Sequence, residues 1–116
     1  RVVPRAQAYL GVRRQLTISI ITRYEVLRGL EAKQAWKQLA AFEALCTTME
    51  VLPLSDGIVL RAAAIYGDLH RRGSLIGDAD ILIAATAMEH GLVLVTNNER
   101  HLRRIADLAL DNWAST

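Results

Sequence analysis

A chain of 116 residues, 52% hydrophobic and 22% charged, has room for one folded domain, and that hydrophobic share excludes an intrinsically disordered chain. A single cysteine, Cys46, excludes an internal disulfide framework and fits a reducing compartment, and the three histidines are not at zinc-finger spacing. The formal net charge of +2, from 14 basic and 12 acidic residues, is too small to imply a nucleic-acid partner by itself. Basic residues gather at Arg1, Arg5, Arg13 and Arg14 and again at Arg100, His101, Arg103 and Arg104, a pattern that solvated helix faces also produce. No apolar run reaches the roughly 18 residues of a membrane span. No basic-then-apolar leader of secretory type opens the sequence, so a cytoplasmic location is expected. The chain starts at Arg1 rather than Met and is read as a fragment or a processed product.

Short β-like runs alternate with helical patterns, without internal repeats, low-complexity stretches or linkers. This order predicts an α/β layer fold with a largely parallel sheet. Pro4 to about Val12 reads as a first helix, with proline in its first turn. Leu16 to Ser19 reads as a strand rich in β-branched residues, after which Thr22 is positioned to cap a helix that frays near Gly29. A further helix is expected over Ala35–Leu45 and a strand over Met49–Leu52, ended by Pro53. Ser55 or Asp56 caps a long helix carrying Ile58, Leu60, Ala62, Ile65 and Leu69, closed at Arg71-Arg72-Gly73. Gly77-Asp78 opens the next helix, Ala79 to Glu89, with Gly91 as its stop. Leu92–Val95 is a continuous apolar run, as in a strand buried on both faces. A short helix over Glu99–Ile105 and an edge strand at Leu108–Leu110 complete the chain. A doubly wound sheet usually has one more central strand, so a strand upstream of Arg1 is expected to be missing.

Three segments carry the chemistry. The densest is Gly77-Asp78-Ala79-Asp80 before the small, apolar run Ile81 to Ala87. Acids in a first helical turn complement the dipole, and Asp78 sits where an N-cap would be. Asp80 fits that bland role less well. It shares a helical face with Ile83, Ala84 and Ala87, and a carboxylate on a packed face is costly unless something pairs with it, a cation being one candidate. The second segment holds Glu25, on the helix after the first β-branched strand, where ligand sites of parallel sheets gather; an ordinary ion pair with Arg28 is the competing role. The third is Val95-Thr96-Asn97-Asn98, at the end of the apolar strand, able to cap a helix or to set oxygen-bearing side chains beside the acids. Hard cations such as Mg²⁺ and Mn²⁺ take oxygen ligands, and a metal so held can activate water for phosphoryl displacement. His70, His90 and His101 read as surface residues, Trp36 and Trp113 as packing residues and Cys46 as a small core filler. A phosphoryl-accepting signalling domain is disfavoured, because its strand-end Asp and later strand-end Lys are absent.

Together these stretches resemble PIN-domain ribonucleases of the VapC toxin type. The resemblance rests on Thr17 to Ser19 running into Tyr24-Glu25-Val26-Leu27-Arg28-Gly29, on Gly77 to Ala87, on Gly91 to Glu99 with His101-Leu102, and on the closing Leu108 to Trp113. It spans nearly the whole chain. The resemblance implies one PIN-like domain over residues 1–116, a three-layer α/β/α sandwich with a mainly parallel sheet that lacks its N-terminal central strand and the acid ending it. It implies Glu25 and Asp80 as catalytic, metal-holding acids, Asp78, Thr96 and Asn98 in support, and Arg28 and Arg100 on RNA phosphates. The expected cofactor is Mg²⁺ or Mn²⁺, the substrate a structured RNA, and the partners an antitoxin covering the groove and a second copy of the chain. Asn97-Asn98 stand where the family often has a further acid, which speaks against a second tightly bound metal. A catalytically inactive PIN-like module that binds RNA or protein is the alternative.

Overall fold

The computed structural model describes residues 7–9, 16–96 and 98–112. Its elements in chain order are β1 (Gln7–Tyr9), β2 (Thr17–Ser19), α1 (Ile20–Ala32), α2 (Trp36–Cys46), β3 (Glu50–Leu52), α3 (Asp56–Arg71), α4 (Asp78–Glu89), β4 (Val93–Val95), α5 (Glu99–Leu102) and β5 (Leu110–Asp111). One sheet runs in the order β3-β2-β1-β4-β5. β2 pairs parallel with β3, and β4 parallel with β5. β1 lies between β2 and β4, antiparallel to both, so the other four strands point the same way.

Alternation along β3 shows how the layers form. Val51 packs with Ile18, Phe42, Cys46 and Met49, under α1 and α2. Leu52 joins the larger core of Ile58, Leu69, Ile81, Ala84, Ala85 and Leu94, under α3 and α4. Successive strand residues face opposite sides, so helices cover both faces of the sheet. The expected α/β sandwich with a mainly parallel sheet is therefore the observed fold. Cys46 is buried in the smaller core, as a small apolar filler.

Local chemistry accounts for several departures from the sequence-based reading. Gln7–Tyr9 were expected within a helix over Pro4–Val12 and instead form β1; residues 4–6 and 10–12 lie outside the described ones. β2 and β4 would each leave an inner row of backbone donors and acceptors open, and β1 pairs with both, with Ala8 opposite Thr17 on one side and Leu94 on the other. Within this chain β1 occupies the central position of the sheet. Thr22 does not cap α1. Ser19 does, its Oγ accepting from the backbone N–H of Ile21 at 3.0 Å and of Thr22 at 3.1 Å, while Thr22 is buried inside the helix. The helix also passes Gly29 intact to Ala32.

Ser55 caps α3, its Oγ accepting from the Ile58 N–H, with Asp56 as first helical residue. Ile58, Ala62, Ile65 and Leu69 form the buried stripe at helical spacing; Leu60 is two residues out of phase and 64% exposed, not part of the core. Trp36, expected to pack, opens α2 and is 56% exposed; Trp113 lies outside the described residues. Val93 is 39% exposed at the start of β4, so the run Leu92–Val95 is not buried on both faces throughout. The helix expected over Glu99–Ile105 ends at Leu102, where Arg103 and Arg104 form a turn, and the last strand sits slightly later, at Leu110–Asp111. Gly91 stops α4 as expected, with φ of 65°, a conformation that glycine adopts without steric cost.

Replacing Ser19 with Ala removes the acceptor for two amide groups near the core. The expected loss is about 1–2 kcal/mol, read as a lower urea midpoint with an unchanged slope. An unchanged midpoint would mean that water replaces the cap.

Candidate active site

β2 and β4 point the same way on either side of β1, so their carboxyl ends open at one edge of the sheet. Ligands of α/β sheets collect at such edges. The end of β2 runs directly into α1 through the Ser19 cap, and this places Glu25 in the second turn. The end of β4 runs into Thr96 and Asn98. α4 packs against both α1 and β2, bringing its first turn to the same edge.

Asp80 stands in that first turn, half-buried, with Ile83, Ala84 and Ala87 of its own face fully inside the core. The Asn98 side-chain amide donates to Asp80 Oδ2 at 3.0 Å. Asn98 is in turn fixed by its own backbone N–H, which donates to Thr96 Oγ1 at 2.9 Å. Thr96 is buried. A chain of contacts thus runs from the end of β4 to one carboxylate oxygen. Asn98 sits at the start of α5 but makes no side-chain capping bond there, so its amide is committed to Asp80.

The charge of Asp80 reaches Glu25 at this edge. Burial pushes the Glu25 carboxyl above the usual carboxylate range, and the negative charge of Asp80 pushes it further; the Arg28 guanidinium pulls it back. Burial also pushes the Asp80 carboxyl up, opposed by His101 and by the Asn98 amide. Arg28 Nη2 lies 3.6 Å from Glu25 Oε2. The ion pair weighed against a functional role for Glu25 is therefore present, alongside the second carboxylate. Two partly buried acids, one of which raises the other's cost of ionisation, are a stability burden in the chain alone, and functional sites are where such burdens concentrate.

The supporting residues divide. Asn98 touches Asp80 directly, and Thr96 acts through Asn98. Gly77, not Asp78, is the N-cap of α4; Asp78 is its first residue, exposed, where its charge complements the helix dipole. Arg28 is exposed beside Glu25, and Arg100 is exposed on α5. His101, read from sequence as a surface residue, is exposed as expected, yet it acts on Asp80. Its spacing of three from Asn98 on a helical segment is the signal that places both on one side.

The donor set suits a hard divalent cation. Glu25 and Asp80 offer carboxylate oxygens; among the described residues no group of three or more His, Cys, Asp or Glu converges. Mg²⁺ is commonly held by one or two carboxylates, the rest of its shell being water and substrate phosphate, so a two-acid site fits it.

Comparison with known proteins agrees with this fold. The PIN domain family profile matches residues 4–108. The chain is 34% identical over 100 residues to the tRNA(fMet)-specific endonuclease VapC of Salmonella typhimurium, covering 85% of this chain and 76% of that protein. It is 36% identical over 93 residues to ribonuclease VapC1 of Methanocaldococcus jannaschii, covering 80% and 66%. Among solved structures, DNA-bound VapBC from Salmonella typhimurium superposes with a TM-score of 0.79 at 35% identity, over 84% of this chain and 74% of that one. VapBC2 from Rickettsia felis, bound to a fragment of its promoter, gives 0.78 at 28% identity, over 85% and 75%.

Proposed function

The chain belongs to the PIN domain family, and from that premise we propose that it is a Mg²⁺- or Mn²⁺-dependent endoribonuclease of the VapC toxin type, working in the cytoplasm. The observation that carries this reading is the half-buried Asp80, held by the Asn98 amide in the first turn of α4, with Glu25 on α1 at the same carboxyl edge of the sheet. When bound, the divalent cation supplies an activated water and neutralises charge on the phosphodiester. Glu25 Oε and the free Asp80 Oδ1 are the oxygens that would hold it. Asn98 keeps the Asp80 carboxylate turned by occupying Oδ2, and Thr96 keeps Asn98 in place. Arg28 and Arg100 meet phosphates flanking the scissile bond, which positions the RNA without reading its sequence. Asp78 adds negative charge at the rim. The substrate class is a structured RNA that offers an unpaired loop, since side chains reach bases most readily there.

An antitoxin covers the groove, in keeping with the VapBC complexes among the structural relatives. A second copy of the chain completes a homodimer. The alternative, a PIN-like module that binds without cutting, does not account for two acids held together against their own repulsion. The relatives compared above are nucleases.

The test is cleavage of a panel of structured RNAs by the full-length protein in Mg²⁺, in Mn²⁺ and in EDTA. Cutting is expected in either metal and not in EDTA. Equal cutting in EDTA would overturn the metal-dependent mechanism. Asn98→Ala, which removes the amide that donates to Asp80 Oδ2, is expected to lower the rate roughly 10–100-fold, the usual cost of removing a group that orients a ligand. A rate within twofold of the parent would show that Asp80 holds its position unaided.

A further inference from the structure

Next to Glu25 in α1 stands an exposed aromatic ring, and Arg28, four residues after it and three after Glu25, reaches both. Tyr24 is 58% exposed, although tyrosine usually buries most of its ring. The Arg28 guanidinium lies 5.4 Å from the Tyr24 ring centroid, a cation–π distance, while its Nη2 is 3.6 Å from Glu25 Oε2. One side chain therefore links the ring to the acid. One turn beyond Glu25 comes Gly29, well inside α1, where an added Cβ would meet nothing within 4 Å. The chain's own packing does not require a glycine there, and glycine weakens a helix interior. The strip Glu25, Arg28 and Gly29 is thus left low and open, with the Tyr24 ring standing at its border.

Resting on the ribonuclease reading above, we propose that Tyr24 is a stacking platform for an unpaired nucleobase of the RNA next to the scissile phosphate, held in place by Arg28. The chemistry that fits this surface is flat, aromatic and anionic at once. A ring and a guanidinium plane are the two groups on which splayed-out RNA bases stack, and the same guanidinium can meet that nucleotide's phosphate. A base inside a duplex cannot reach such a platform, so Tyr24 would make the site prefer single-stranded RNA at this nucleotide. No sequence preference follows, because every base has a π-face.

The experiment measures binding, separately from cleavage. A short fluorescein-labelled single-stranded RNA of mixed sequence and the same RNA annealed to its complement are titrated with the full-length protein carrying Asp80→Asn, so that nothing is cut. Tyr24→Ala, Tyr24→Phe and Tyr24→Leu are compared in that background. The expected result is a single-strand affinity roughly 5- to 100-fold weaker for Tyr24→Ala, the range for truncating a stacking aromatic. Duplex affinity should stay within twofold. Tyr24→Phe should keep the parent affinity, and Tyr24→Leu, which keeps apolar bulk without an aromatic face, should not. Equal single-strand affinity for Tyr24→Ala and the parent would overturn the proposal. So would an equal loss on both RNAs. Failure of the parent protein to cut RNA in metal would instead count against the ribonuclease reading, which the cleavage panel measures on its own.

Discussion

Asp80→Asn is expected to abolish RNA cleavage and to make the metal-free protein more stable. The first effect should exceed about a hundredfold, because removing even a group that merely orients a metal ligand costs 10–100-fold. The second follows from electrostatics. Burial holds the Asp80 carboxyl above its ordinary range, so the folded state keeps its proton to higher pH than the unfolded chain does. Stability from this source is fully present below the unfolded value of about 4 and is lost as pH rises through the folded one. At neutral pH the native state therefore carries a charge it disfavours. Asparagine removes that charge, relieves Glu25 of a like-charged neighbour, and still offers an oxygen to the Asn98 amide. Because the site is only half-buried, solvent screening limits the gain to a fraction of a kcal/mol up to about 1 kcal/mol. That corresponds to a rise in Tm of up to roughly 4 °C. Thermal melts in EDTA at pH 7 and at pH 4 check it: the difference between variant and parent should shrink at the lower pH. A parent that is more stable than the variant at pH 7 would show that the Asn98 contact outweighs the burial.

Glu25→Gln is expected to lower the rate of cleavage by a similar factor and to change its pH dependence. Burial and the Asp80 charge both raise the Glu25 carboxyl, while Arg28 lowers it. The active form needs both acids ionised, so in the parent the rate should fall as pH drops through these raised values, at higher pH than for ordinary carboxylates. In Glu25→Gln the like charge is gone. The carboxyl that burial and Asp80 push up is gone with it, so whatever rate remains should hold to lower pH. A pH–rate profile of kcat/KM for parent and variant reads this directly. An acid limb at the same pH in both would mean that the two carboxylates titrate independently.

The acids were legible because helical phase is local. Asp80 stands on a face otherwise made of Ile83, Ala84 and Ala87, and no tertiary information is needed to see that a carboxylate there is half-buried. The ends of α3 and the stop at Gly91 were legible for the same reason, since caps and left-handed glycines act within a few residues. β1 was not. Gln7–Tyr9 has no strand signature of its own, and what makes it a strand is the pair of open backbone rows on β2 and on β4, the latter far away in the sequence. The start of α1 was misplaced because Ser19 and Thr22 are both good caps; only the chain direction at the end of β2 selects Ser19. Within the site, Asn98 was visible only as a polar residue after a strand. Its commitment to Asp80 depends on α4 and β4 meeting at one sheet edge, as does the influence of His101. Tyr24 was masked by the motif around it, because exposure cannot be read from a helix that is amphipathic only weakly.

The central claim is that Glu25 and Asp80 together hold a divalent cation. The most direct measurement is a calorimetric titration of Mn²⁺ into the full-length protein, its Asp80→Asn variant and its Glu25→Gln variant, without RNA. The expected result is saturable binding by the parent and at least tenfold weaker binding by each variant. Equal Mn²⁺ affinity in all three proteins would contradict the claim and place any metal away from these two acids.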